Sequence, residues 1–361
     1  MKILHVITSL LTGGAERLMV DLLPLLCDNG NNQVDLLLFN GKDTLFSKEI
    51  KKRDVKVLSL SKTNDVYHPR NLFRLRKHLN HYDIIHTHNT APQLYVPLAK
   101  MLSHSKAKLV TTEHNSTNRR RLKWWYKPID QWMYSKYTAI ICIADQTRLN
   151  LEQYIGKSDK ISTIYNGVDV NRLIHPIKDI SRQKDFTIIM VSSFREQKDH
   201  ETLFRSMTHL PDNYRLQVVG GGTIEEKERL HSYCSQLRLN DRVEFMGVRT
   251  DVPDLLESSD VVVLSSHWEG LSLSSIEGMA SGRPFIASDV DGLHELVGGA
   301  GVLFPHGDDK ALAESIQFLC EHPDEYREVA KRCQDKAKQY DISVMAKNYL
   351  NLYKGLLGRE C

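Results

Sequence analysis

Residues 260–289, "DVVVLSSHWEGLSLSSIEGMASGRPFIASD", read as a strand, a loop, a helix and a second strand. The β-branched run at 261–264 shows no polar alternation, as expected of a strand covered on both faces. Ser272, Ser274 and Ser275 suit a helix start, and Gly282 with Pro284 ends that helix before "PFIAS". Strand, helix and strand in succession are the signature of a parallel sheet covered by helices. The same stretch sets Glu269 eight positions before Glu277, with only Gly, Leu, Ser and Ile between them. On one continuous helix the two carboxylates would stand about 80° and about 12 Å apart, a poor acid/base pair. With Glu269 in the loop and Glu277 in the opening turns, both can face one elongated ligand.

Outward from this unit the pattern repeats in both directions. The first half offers the strands "KILHVIT", "VDLLLF", "VKVLSL", "DIIHTH", "KLVTTE", "AIICIA" and "ISTIYN", with helical stretches at 15–29, 69–81, 91–103 and 124–137 between them. The second half offers "FTIIMVSS", "RLQVVG", "RVEFMG", "DVVVLSS" and "PFIAS". Alternating β and α with two-sided apolar strands predicts an α/β protein of parallel sheets covered by helices. At 361 residues two domains of roughly 170 are expected. Proline and charges interrupt the pattern at 172–184, giving domains over 1–172 and 184–340, and the tail after 308 is all helical, ending in a helix at 341–357.

Six cysteines without a C-x-x-C pair read as reduced thiols and predict a cytoplasmic protein without a zinc or disulfide framework. The opening "MKILHVITSLLTGGA" has the outline of a secretory signal, but His5, Thr8 and Ser9 interrupt it and an amphipathic helix follows. No stretch reaches the roughly 20 apolar residues of a membrane span. Residues 1–180 hold 27 Lys and Arg against 16 Asp and Glu, whereas residues 181–361 hold 21 against 29. The first half is therefore +11 and the second −8, which points the first half at something anionic.

Several motifs fall where strands end. Gly13 and Gly14 in "HVITSLLTGGAERL" suit a backbone that approaches a phosphate at a helix N-terminus, with a tight turn as the competing account. The spacing is not G-x-G-x-x-G, and "VVGGGTIEE" lacks the acidic partner of a dinucleotide site. His86 and His88 share one side of a strand, and His114 closes another. A zinc site needs further ligands that are not near in sequence, so no metal is expected; "SDVDG", with Asp289 and Asp291, is too short a D-x-D to alter that. Arg195 and Lys198 in "SSFREQKDHETL" are cations at a strand end, suited to a diphosphate. "NRRRLKWWYKP" interleaves Arg119, Arg120, Arg121 and Lys123 with Trp124 and Trp125, a pattern for an anionic bilayer surface. The alternative buries both tryptophans in the core; nucleic acid is disfavoured because no binding module occurs.

Taken in order, the glycine loop, "HTHN", the "TEH" strand end, "YNGVD", "EQKDH", "MGVRTDV" and the E-x7-E segment with "GRPFIASDVDGLHELV" resemble the retaining, nucleotide-sugar-dependent glycosyltransferases of family 4 from residue 1 to about 310. The resemblance implies a GT-B fold, two Rossmann-like domains facing each other across a donor-binding cleft, with the C-terminal helix at 341–361 crossing back to the first domain. It assigns Glu269 and the N–H groups of Gly270, Leu271, Ser272 and Leu273 to the donor sugar, Glu277 to the ribose, and Lys198 and Gly14 to the diphosphate, with Gly13 in the same loop. His114 falls beside the reacting face of the sugar and Val248 at the base. Where the family carries an arginine this chain has Ser193, so Arg195 stands as a candidate replacement.

The implied activity is retaining transfer from a nucleotide sugar, UDP-linked, to a lipid-linked or polysaccharide acceptor in surface-glycan assembly. His114, Glu269 and Lys198 form the catalytic group, and no cofactor or metal is needed. Arg119 to Arg121, Lys123, Trp124 and Trp125 would meet acceptor or the inner-membrane surface. The rival readings are a nucleotide-sugar epimerase of the same fold and a non-catalytic scaffold; a nicotinamide dehydrogenase lacks its fingerprint.

Overall fold

A computed structural model describes residues 1–11, 13–27, 32–53, 55–114, 121 and 123–358. The chain divides into two compact units, one of residues 1–167 with 342–361 and one of residues 168–341.

The first unit holds seven strands, β1 (Lys2–Ile7), β2 (Gln33–Asn40), β3 (Lys56–Ser61), β4 (Ile84–His88), β5 (Lys108–Glu113), β6 (Ala139–Cys142) and β7 (Ile161–Thr163). They form one parallel sheet in the order β3-β2-β1-β4-β5-β6-β7. The second unit holds β8 (Phe186–Val191), β9 (Tyr214–Val219), β10 (Val243–Gly247), β11 (Val261–Leu264), β12 (Phe285–Ser288) and β13 (Val302–Phe304), parallel in the order β10-β9-β8-β11-β12-β13. Each order reverses beside its first strand, and that reversal opens a crevice at the C-terminal ends of the strands in folds of this kind.

The central strands are apolar on both faces because helices cover both. All four residues of β11 are buried, as are five of six in β1. All twelve strands expected from sequence form, and β13, three residues after a glycine turn, is an addition. The helix Leu45–Ile50 was likewise not anticipated; it begins with a capping box between Thr44 and Ser47. The terminal helix, Ile342–Leu356, packs within the first unit through Tyr349 and Tyr353.

The unit at 260–289 forms as β11, the helix Leu273–Ala280 and β12. Ser272 occupies the N-cap position, but its hydroxyl meets that of Ser274 at 3.1 Å instead of capping the backbone. Gly282 ends the helix at φ 77°, and a Cβ there would stand 2.6 Å from the His175 carbonyl. Next to it the buried guanidinium of Arg283 donates to the carbonyls of Glu257, Ser259, Pro176 and Ser281, closing the exposed end of the helix Val252–Ser258. Gly278 lets the helix Leu273–Ala280 lie close on the sheet, since a Cβ would fall 2.7 Å from the Phe285 ring and 2.8 Å from Val262. That approach fixes the height at which Glu277, the preceding residue, stands above the sheet. Gly278→Val should overpack this contact and cost about 1–3 kcal/mol, read as a lower urea midpoint at unchanged m-value.

Candidate functional site

In the second unit six loops leave the C-terminal edge of the sheet, and the polar groups singled out in the sequence sit on them or just beyond. After β8 the chain makes a short 3₁₀ turn, Glu196–Lys198, and Asp199 follows with φ 45° as the N-cap of the helix His200–Met207. After β11 comes the loop 265–272. The two are tied together by the His267 N–H to the Gln197 carbonyl at 2.8 Å, Gln197 Nε2 to the Trp268 carbonyl at 2.7 Å, and Ser265 Oγ to the Asp199 carbonyl at 2.8 Å. This tie brings Lys198 Nζ onto Glu269 Oε1, which also accepts from Ser266 Oγ at 2.6 Å. Both charged side chains are nearly buried, so the pair is screened little by water. Two residues that the sequence assigns to the sugar and the diphosphate therefore touch each other, and Ser266, unremarked in the sequence, holds the carboxylate.

The remaining positions fall around this pair. Gly270 approaches Gly292 so closely that a Cβ on Gly292 would stand 2.0 Å from the Gly270 carbonyl oxygen. Leu271 and Ser272 are buried, and Leu273 opens the helix on which the half-buried Glu277 stands in the second turn. That helix start leaves N–H groups of its first turn without intrahelical partners. Buried Ser275 Oγ has no hydrogen-bond partner there. Val248 is exposed and lies against Gly221, and Gly220, at φ 148°, passes so near Ser192 that no side chain fits. Ser193 is half-buried, whereas Arg195 is exposed and pairs with no carboxylate among the described residues.

In the first unit Gly13 and Gly14 follow β1 and lead into the helix Gly14–Cys27. A Cβ on Gly13 would fall 2.3 Å from Glu16 Oε2, so the Glu16 carboxylate occupies the space beside this glycine. The basic and aromatic segment divides. Arg119 and Arg120 lie outside the described residues. Arg121 is not the surface cation expected. Its guanidinium is 9% exposed and donates at 2.8 Å to buried Glu113, which also accepts from Tyr134 at 2.6 Å and Gln93 at 2.5 Å. A buried carboxylate on β5 is stabilised by a paired cation, and Arg121 supplies one. Trp124 and Trp125 are 86% and 47% exposed, which overturns the core alternative. Lys123 lies 5.8 Å over the Trp125 ring, which stacks on Tyr126.

The histidines behave in a way the sequence only half disclosed. His86 and His88 share a face of β4, as their spacing requires, but His5 on adjacent β1 joins them in register with His86. His114 Nε2 meets His88 Nδ1 at 2.9 Å, His88 Nε2 meets His5 Nδ1 at 2.9 Å, and His5 Nε2 lies 3.4 Å from the Tyr353 hydroxyl. That hydroxyl meets His86 Nδ1 at 2.6 Å, and His86 Nε2 reaches Thr112 Oγ1 at 2.7 Å. Each neutral ring has one N–H, so donation runs in one direction through His114, His88 and His5, and their three tautomers are coupled. Burial holds all four rings neutral: His5 is pushed down to about 3, His114 to about 4, and His86 and His88 well below the ordinary 6.5.

Because the folded values lie below 6.5, the unfolded chain takes up protons first as pH falls. The stability is intact above about 6.5 and is lost on the way down toward the folded values near 4 and 3. Each such ring costs about 1.4 kcal/mol per pH unit in that window. The urea midpoint should drop steeply between pH 7 and 5, and a flat profile would show that the rings titrate while buried.

Residues 12–172 match the family described as Glycosyltransferase Family 4, and residues 173–340 match Glycosyl transferases group 1. A UDP-Gal:alpha-D-GlcNAc-diphosphoundecaprenol alpha-1,3-galactosyltransferase of Escherichia coli is 28% identical over 234 residues, 60% of this chain and 60% of that protein. An N,N'-diacetylbacillosaminyl-diphospho-undecaprenol alpha-1,3-N-acetylgalactosaminyltransferase of Campylobacter jejuni is 28% identical over 216 residues, 59% of this chain and 54% of that protein. The chain thus spans a little over half the length of these two relatives. The crystal structure of Anabaena Alr3699/HepE in complex with UDP-glucose superposes with a TM-score of 0.86 at 22% identity, covering 98% of this chain and 99% of that one, a likeness of fold. The chain belongs to the family 4 glycosyltransferases and has their GT-B fold.

Proposed function

We propose that this protein transfers a sugar, with retention at the anomeric carbon, from a UDP-linked donor to a polyprenol-diphosphate-linked saccharide during surface-glycan assembly. The observation that carries the reading is the Lys198–Glu269–Ser266 cluster on the strand-end loops of the second unit. Departure of the donor diphosphate leaves negative charge on the leaving group. Lys198, already oriented by Glu269, and the open N–H groups at the start of the helix Leu273–Ala280 stabilise that charge without reorganising. Glu269 then serves the sugar hydroxyls and Glu277 the ribose, with Val248 at the base. This reading assigns no metal to the transfer step.

His114, neutral at physiological pH, accepts or donates one hydrogen bond at the reacting face and carries no charge there. Retention without a protein nucleophile suits entry of the acceptor hydroxyl on the face the diphosphate leaves. The named relatives from Escherichia coli and Campylobacter jejuni act on undecaprenol-diphosphate-linked sugars, which supports a lipid-linked acceptor. Exposed Trp124 and Trp125 with Lys123 fit the headgroup region of an anionic bilayer, on its cytoplasmic face. No helix of the described residues is long and apolar enough to cross a membrane.

A panel of nucleotide sugars should give protection against thermal unfolding and slow UDP release with one UDP-sugar; protection by none would sink the reading. Lys198→Ala should lower kcat about 100-fold or more. Trp124→Ala with Trp125→Ala should reduce co-sedimentation with vesicles rich in anionic lipid, while the urea midpoint stays where it was.

A further inference from the structure

A second polar cluster lies in the second unit, built from three segments far apart in sequence. Asp199 follows the turn after β8, His267 lies in the loop after β11, and His306 lies in the loop between β13 and the helix Asp309–Glu321. His267 Nδ1 is 2.7 Å from His306 Nε2 and 3.7 Å from Asp199 Oδ2, and one ligand atom from each residue lies within 4.8 Å of the others. Tetrahedral zinc with bonds of about 2.0–2.2 Å sets its ligand atoms about 3.3 Å apart, which lies between the two distances found here. Two imidazoles and a carboxylate are a borderline ligand set that favours zinc over magnesium or calcium.

The surroundings have the features of a built site. The Asp199 carboxylate is nearly buried, and its outer contacts are already made: Oδ1 accepts the Thr202 N–H at 3.1 Å and Oδ2 the Thr202 hydroxyl at 2.6 Å. Such contacts orient a metal-binding carboxylate. Asp199 is held at φ 45°, ψ 52°, a left-handed conformation that disfavours residues with a Cβ, while Ser265 Oγ bonds its carbonyl. The His267 backbone is fixed by Gln197. His267 is one-third exposed and His306 exposed, which gives an ion a way in and a position for water as fourth ligand. The other histidine group of this size among the described residues, His5, His86 and His88, is wholly buried, and its rings are engaged by one another, Tyr353, Thr112 and His114.

We propose that Asp199, His267 and His306 bind one zinc ion, separate from the groups assigned to sugar transfer. The ion joins three loops, one of which continues from Lys198 and another of which leads to Glu269 two residues on. Occupancy therefore stiffens the segments that carry this ion pair. The assignment stands independently of the donor and acceptor, because it is read from metal binding alone.

The test uses the full chain without a histidine tag, stripped with EDTA and titrated with zinc chloride by calorimetry and thermal unfolding. One zinc per chain should bind with micromolar or tighter affinity and raise Tm. His306→Ala and His267→Ala should each weaken binding at least about tenfold and abolish the Tm rise. His294→Ala, at an exposed histidine paired with Asp289 elsewhere in the unit, should bind as the parent does. Absence of one-to-one binding, binding that survives in His306→Ala, or equal loss in His294→Ala would each overturn the proposal. His306 is exposed, so an unchanged Tm of the metal-free His306→Ala variant separates lost binding from lost folding.

Discussion

A parallel strand covered by helices on both faces has no wetted side, and most of this molecule follows from that constraint. Each central strand must be largely apolar on both faces, and polar chemistry is pushed to the loops where strands end. In the second unit this is nearly complete. Lys198, Glu269, Ser266 and the glycines at 220–222, 270 and 292 all sit at strand ends, while β11 and β12 carry only Val, Leu, Phe, Ile, Ala and one Ser. The close approach of the helix at Gly278 and the turn at Gly282 are packing requirements of the sheet, and they also fix where Glu277 stands.

The first unit departs from the rule on several strands, among them β2, where Asp35 is buried. Three histidines occupy the middle and end of β1 and β4, where an apolar core is otherwise expected, and β5 ends in a buried glutamate. Burial of so many polar groups is tolerable because they are hydrogen-bonded in a connected series. His114 stands at one end of the series and Thr112 at the other, and the terminal helix supplies Tyr349 and Tyr353 to complete it. Glu113 is treated likewise, with Arg121, Tyr134 and Gln93 around it. Polar networks of this kind fix one arrangement of a core, at the expense of acid stability.

The loops of the second unit show a different economy. Lys198 and Asp199 are adjacent in sequence, as nearly are His267 and Glu269, yet they serve separate clusters. The left-handed backbone at Asp199 turns consecutive side chains apart, and the hydrogen bonds from Gln197 and Ser265 hold both loops to one geometry. A change in either cluster is therefore felt in the other through a few bonds of rigid backbone.

Much of this was present in the sequence itself. Two-sided apolar runs separated by helical periods determine a parallel α/β sheet, and glycine, proline and serine mark the ends of the unit at 260–289, because those signals are local and repeat with the period of the backbone. The spacing of Glu269 and Glu277 likewise separates a loop carboxylate from a helical one. What only the tertiary structure decided are the meetings between segments: Lys198 with Glu269, Arg121 withdrawn onto Glu113 while Trp124 stays exposed, His5 beside His86, and His306 beside His267. Strand order and loop path bring these partners together across 8 to more than 80 residues, and no local pattern records which strand will lie next to which.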